Sequence, residues 1–199
     1  MASTASDRAG LHYLPPGSRS VKVVVLGAFG VGKTTYVETV SEIAPLQTEE
    51  HLTEAGQNVD HLTVSSKATT TVSMDFGRRT LAGGIVLYLF GAPGQPRFAD
   101  TIRWLLEGAL GGLVLVDTRH LEQCWESIGL LEEAGIPYTI AINSFAGSPA
   151  YAKDVLREAL ALPADRPLVR LDARHLESAK AGLIALVTDI LSPMRSPAR

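Results

Sequence analysis

Between Gly27 and Thr34 the chain reads Gly-Ala-Phe-Gly-Val-Gly-Lys-Thr, directly after the apolar run Val21, Val23, Val24, Val25 and Leu26. No other stretch restricts the possible folds as strongly, because this spacing joins a buried strand to a helix through a phosphate-binding loop. Glycines let the backbone curl so that successive N–H groups point inward at an anion, and the positive end of the following helix adds to that field. Lys33 then reaches the outer phosphates, Thr34 offers its hydroxyl to a magnesium ion, and Phe29, Gly30, Val31, Gly32 and Thr35 complete the cradle. The bland alternative is a glycine-rich turn with an exposed lysine. The strand before it and the helix after it argue against that.

With 199 residues the chain can bury one α/β domain and is short for two. Its 18 basic and 21 acidic residues nearly balance, which excludes a general nucleic-acid-binding surface. Residues 1–20 are rich in Ala, Ser, Pro and Gly without an apolar stretch, so they read as a disordered tail, neither a signal peptide nor a span. The domain is expected over 21–192, with 193–199 as a short second tail. Ala2 and a cysteine-free end argue against lipid anchors, leaving membrane contact to partners and no direct insertion. Cys124 is the single cysteine, which excludes intrachain disulfides and fits a cytoplasmic setting. It reads as a small hydrophobe in a helix, with a reactive thiol as the alternative. The five histidines never fall at helical ligand spacing, so a zinc site is not expected.

Apolar runs and breakers alternate as a parallel sheet with crossover helices requires. Strands are expected over Val21–Leu26, Thr71–Phe76, Ile85–Phe90, Leu113–Val116, Tyr138–Ile142 and Leu168–Leu171. Helices are expected over Lys33–Ile43, Phe98–Gly108, Leu121–Ala134, Tyr151–Leu160 and Leu176–Leu191. The paired glycines of Thr80-Leu81-Ala82-Gly83-Gly84 suit a hairpin between the second and third strands, giving one antiparallel edge. Pro45–Ala68 is long and polar and reads as a partly mobile excursion. Trp104 and Trp125 read as core anchors on helix faces, the alternative being a stacking platform for bases.

A nucleotide switch needs a device that feels the terminal phosphate, and two segments stand where it belongs. The first is Ala68-Thr69-Thr70-Thr71, ahead of the second strand. The hydroxyl of Thr71 would complete the magnesium shell when the last phosphate is present and let go after its loss. A β-prone threonine run opening an edge strand is the competing reading. The second is Gly91-Ala92-Pro93-Gly94-Gln95, at the carboxyl end of the third strand, where ligands of such sheets bind. Gly94 can turn its N–H toward the terminal phosphate and Gln95 can orient an attacking water. Alone, the same string is merely a turn.

These segments together resemble the Ras-like small GTPases from Val21 to about Leu191, and more closely the conservon GTPases of actinobacteria, relatives of the bacterial gliding-motility GTPase. The matching strings are Gly-Ala-Phe-Gly-Val-Gly-Lys-Thr-Thr from Gly27, Thr-Thr-Thr-Val-Ser-Met-Asp-Phe-Gly from Thr69 and Leu-Tyr-Leu-Phe-Gly-Ala-Pro-Gly-Gln from Leu87. Further matches are Val-Leu-Val-Asp-Thr-Arg from Val114, Ala-Ile-Asn-Ser-Phe from Ala141 and Asp-Ala-Arg from Asp172. The resemblance implies a P-loop NTPase: a three-layer α/β/α fold with a six-stranded, mostly parallel sheet carrying one antiparallel strand. It also implies a GTP/GDP switch that uses Mg2+ and hydrolyses GTP with the help of Gln95. Its implied partners are a small roadblock-type protein and a histidine-kinase-like sensor. Asn143, Phe145, Ala173 and Arg174 are then the residues expected around the base.

Three positions depart from the Ras-like pattern. Gly91 stands where an aspartate supports magnesium through water, which predicts weaker metal binding. Asn143-Ser144-Phe145-Ala146 replaces a motif whose final aspartate reads guanine through two charge-assisted hydrogen bonds. Losing both costs on the order of 10² to 10⁴ in affinity. Asn143 can still support the loop, Phe145 can cover a base face, and the Ala173 N–H can reach a base oxygen, with Asp172 as a partial substitute for the missing acid. Phe29 fills a place often held by glycine, and its ring would crowd Gln95 and slow hydrolysis. Arg97 and Arg103 follow the second switch, either acting in cis or forming surface ion pairs. Two other functions fit the same loop: a nucleotide-stabilised adaptor without hydrolysis, and a small-molecule kinase, for which the sequence shows no arginine-rich lid.

Overall fold

The computed structural model describes residues 17–44, 46–52 and 70–192. Its strands are β1 (Arg19–Leu26), β2 (Leu46–Leu52), β3 (Thr70–Leu81), β4 (Ile85–Gly91), β5 (Gly111–Val116), β6 (Tyr138–Asn143) and β7 (Leu168–Leu171). The helices are α1 (Lys33–Val40), α2 (Ala99–Leu106), α3 (Trp125–Glu133), α4 (Lys153–Ala159) and α5 (Leu176–Leu191), with 3-10 turns at Pro96–Phe98 and Leu121–Cys124. The strands form one sheet in the order β2-β3-β4-β1-β5-β6-β7. Pairing is parallel from β4 through β1, β5 and β6 to β7, and antiparallel for β2–β3 and β3–β4.

Alternation along β1 explains the layers. Val23 and Val25 pack with Tyr36, Val37 and Val40 of α1 and Leu183 and Leu186 of α5. Val24 and Leu26 point to the opposite face, with Ile102 and Leu105 of α2, Ile128 and Leu131 of α3 and Leu156 of α4. Successive residues of a strand face opposite sides, so a stretch buried on both faces carries no polar side chain, as in Val23–Leu26 of β1 and in β5. Both lie at the centre of the sheet, and their carboxyl ends open toward the loop that follows β1.

All six expected strands are present, and the hairpin turns at Ala82–Gly84 with Gly83 at φ 80° and Gly84 at φ 74°. The expected antiparallel edge is corrected in one respect: β3 is not the edge, because β2 pairs along its outer side. β2 falls within the polar stretch read as an excursion, whose remainder from residue 53 lies outside the described residues. So do both tails, apart from residues 17–20, of which Arg19 and Ser20 already belong to β1.

The two tryptophans also require correction. Trp104 is 62% exposed and Trp125 57% exposed. The buried stripe of α2 runs through Ile102, Leu105 and Leu106, which leaves Trp104 on the outer side. At the start of α3 the 3-10 turn carries Cys124 into the core and turns Trp125 outward. The Cys124 thiol donates to Leu121 O at 3.0 Å, and burial pushes its pKa up to about 12, so it is a packed, unreactive thiol.

Candidate nucleotide site

The loop after β1 is shaped by glycine at two positions. Gly27 has φ 134°, and a Cβ there would stand 2.4 Å from Leu115 O of β5. Gly32 has φ 96° at the N-cap of α1, and a Cβ there would stand 2.8 Å from Asn143 Nδ2. Only glycine tolerates both the left-handed backbone and the close approach. No side chain caps α1 and its first turn carries no acid, so the orphan amides of the helix are left to face an anion.

Lys33 is buried in this loop, its ammonium donating to Gly27 O at 2.8 Å and Ala28 O at 2.7 Å. Burial lowers its pKa from an ordinary 10.5 to about 8, opposed by the negative charge of Asp75. The Thr34 hydroxyl donates to Asp75 Oδ2 at 2.8 Å. Asp75, from β3, is only 5% exposed, and its Oδ1 is buried without a hydrogen-bond partner among the described residues.

Facing this pair, the chain after β4 closes onto the loop. A Cβ at Gly94 would stand 2.4 Å from Lys33 Nζ and 2.6 Å from the Phe29 nitrogen, so the bare backbone of Gly94 touches the mouth of the cradle. A cavity of about 420 Å³ remains, lined among others by Gly30, Lys33, Thr34, Thr35, Asp75 and Gln95. Phe29 lies at its rim, 78% exposed.

Asn143, at the end of β6 and 4% exposed, ties the loop to its surroundings. Its Nδ2 donates to Val31 O at 2.9 Å, and its Oδ1 accepts from the Ala173 N–H at 3.0 Å. The expected role of that N–H as a donor to a base is therefore corrected, since it is held by Asn143. Asp172, expected as a substitute acid, is engaged by Arg174 through Nε at 2.9 Å and Nη2 at 2.7 Å. That guanidinium holds the Asp172 carboxyl well below the usual range. Phe145 is half-buried, with the Arg119 guanidinium 4.6 Å from its ring centroid, so one ring face is already covered.

The structure thus gathers Phe29, Gly30, Gly32, Lys33, Thr34, Thr35, Gly94 and Gln95 around one cavity and braces Val31 through Asn143. Thr71 is not brought there. It sits inside β3, paired with His51, four residues from Asp75 and so about 13 Å away along the strand. The reason is the β2–β3 ladder, which already includes Thr70, one residue ahead of the expected strand start, so Thr71 is a ladder residue; Ala68 and Thr69 lie outside the described residues. Of the two arginines, Arg103 pairs with Asp100 at 3.0 Å and Glu133 at 3.5 Å on the surface, and Arg97 lies over the Phe98 ring. Sequence reasoning missed Asp75, although the hairpin centred on Gly83 sets it opposite Gly91.

A buried-strand, glycine-loop, helix unit with its lysine inside and a hydroxyl beside a carboxylate defines a nucleotide-binding α/β protein of the phosphate-loop class. Residues 25–193 match the family described as "Conserved hypothetical ATP binding protein", and the chain belongs to that family. It is also similar to a protein of Methanocaldococcus jannaschii that bears the name "Uncharacterized protein MJ1339", with 32% identity over 125 residues. That match covers 62% of this chain and 69% of the archaeal protein. No helix among the described residues is long and apolar enough to cross a membrane.

Proposed function

We propose that the chain is a nucleotide switch of the Ras-like, conservon type, binding GTP and GDP with magnesium and hydrolysing GTP slowly. The observation that carries this reading is how closely Gly94 approaches the loop, leaving no room for a Cβ beside Lys33 Nζ and the Phe29 nitrogen. The segment ahead of Gln95 rests against the groups that would hold a terminal phosphate, so gain or loss of that phosphate would move it. Thr34 is the residue that would hold magnesium, whose charge would offset that of the phosphates. Gln95, half-buried at the cavity, orients the attacking water. A roadblock-type protein is the partner proposed to read the movement, within a complex that contains a histidine-kinase-like sensor.

Single-turnover phosphate release tests the reaction. Release from GTP on the order of 10⁻³ s⁻¹ or slower is expected, falling about tenfold or more in Gln95→Ala. No release with magnesium present, and no effect of Gln95→Ala, would favour the adaptor reading.

Base selection is the weak part of the site by design. Ala146 offers no carboxylate, and Asp172 is tied to Arg174. The family description names ATP, while the motif order favours guanine. Low discrimination between GDP and ADP follows, within about tenfold. Ala146→Asp is expected to tighten GDP by about 10² and leave ADP unchanged, read by competition with a fluorescent nucleotide. Equal changes for both nucleotides would place the base elsewhere.

A further inference from the structure

We propose that Asp75 is the acidic residue of the magnesium site, acting from β3 in place of an acid on β4. The inference rests on the reading of the cavity as a magnesium–nucleotide site.

The register of the hairpin supplies the first argument. Asp75 and Gly91 are direct partners in the antiparallel β3–β4 ladder, so their side-chain positions lie side by side on one face. A Cβ built at Gly91 would stand 2.8 Å from Asp75 Oδ2 and 3.0 Å from Asp75 Cβ. The carboxylate of Asp75 therefore fills the volume that a side chain at 91 would need, and the two positions cannot both carry an acid. Glycine at 91 is the vacancy that lets the neighbouring strand deliver the carboxylate.

The second argument is the state of that carboxylate. It is buried against the cavity wall, and Oδ2 accepts from the Thr34 hydroxyl, while Oδ1 has no partner among the described residues. A buried carboxylate oxygen left idle is costly unless a cation or an ordered water meets it. By accepting the hydrogen bond from the hydroxyl, Asp75 also leaves the lone pairs of Thr34 available to a metal. A hydroxyl and one carboxylate, with water and phosphate oxygens completing the shell, is the donor set that magnesium takes. The weaker metal binding predicted from Gly91 alone is replaced by this account, because the missing charge is supplied from β3.

A purely structural Asp75, anchoring Thr34 and the start of α1, would not make nucleotide affinity depend on the metal. The test is the dissociation constant of a fluorescent GDP measured in excess magnesium and in EDTA. The wild type is compared with Asp75→Asn and with the exchange variant Asp75→Gly/Gly91→Asp. Asp75→Asn keeps the size of the side chain and is expected to lose at least about tenfold of the magnesium-dependent gain, with affinity in EDTA unchanged or tighter. The exchange variant, with the carboxylate returned from the facing position, is expected to recover much of the gain. Full retention of the gain in Asp75→Asn, or a wild type that binds GDP equally well with and without magnesium, would overturn the inference and leave nucleotide binding standing. A wild type that binds in neither condition would sink the functional reading itself.

Discussion

Lys33→Ala is expected to weaken nucleotide binding by about 10² to 10⁴, because two charge-assisted hydrogen bonds to phosphate are lost together. In the structure the ammonium bridges Gly27 O and Ala28 O inside the loop, so it is already positioned and needs only to exchange carbonyls for phosphate oxygens. The same burial predicts a pH signature. With a pKa of about 8 in the free fold, Lys33 is charged below pH 8 and neutral above it. Bound phosphate favours the ammonium, so above pH 8 binding must take up a proton and affinity declines as pH rises. Below that it is flat with respect to this group. For folding the sign is opposite: the unfolded chain binds more protons between about pH 8 and 10.5, so the nucleotide-free fold gains stability across that window. Lys33→Ala should remove the alkaline decline in affinity along with the affinity itself. Calorimetric affinities within a few-fold of wild type would place the phosphates elsewhere.

Asn143→Ala is expected to be the most destabilising substitution among the site residues outside the glycines, at about 2–5 kcal/mol. Its side chain satisfies a carbonyl of the phosphate loop and an amide of the turn before α5, both buried. Alanine leaves both groups unpaired, and an unmet buried polar group costs about 1–3 kcal/mol. The melting temperature should fall by roughly 5–15 °C in a domain of this size. Because Gly32 packs on the same amide, the loop loosens as well, and nucleotide affinity should fall with stability. Asn143→Asp retains the acceptor for Ala173 but not the donor to Val31, so an intermediate loss is expected. A denaturation midpoint unchanged in Asn143→Ala would mean that the clamp does not hold the loop.

Much of this architecture was legible in the residues. The loop announced a strand before it and a helix after it, and the glycine pair at 83–84 located the hairpin. Asn143 as a support for the loop was also readable, since its segment ends a buried strand facing the cradle. What escaped reading did so for physical reasons. β2 carries Gln47, Thr48, Glu49 and Glu50 and lacks apolar alternation, yet an edge strand needs only backbone pairing on one side. The outward placement of Trp104 and Trp125 is not legible in the residues, because aromatic content does not say which face of a short helix points inward. Asp75 is hidden in the sequence because it lies sixteen residues from Gly91 and outside the motif that Gly91 opens. The two are adjacent across a ladder, not along the chain, as appears once residues are paired around Gly83.

The central claim is that the cradle from Gly27 to Thr34 grips a polyphosphate. Titration of the nucleotide-free chain with GDP, GTP, ADP and ATP in magnesium, followed by calorimetry, tests it most directly. The account predicts one site per chain that binds guanine nucleotides, with adenine nucleotides bound within about tenfold of them, and that is lost in Lys33→Ala. Absence of binding by all four nucleotides, or binding that survives Lys33→Ala unchanged, would contradict it.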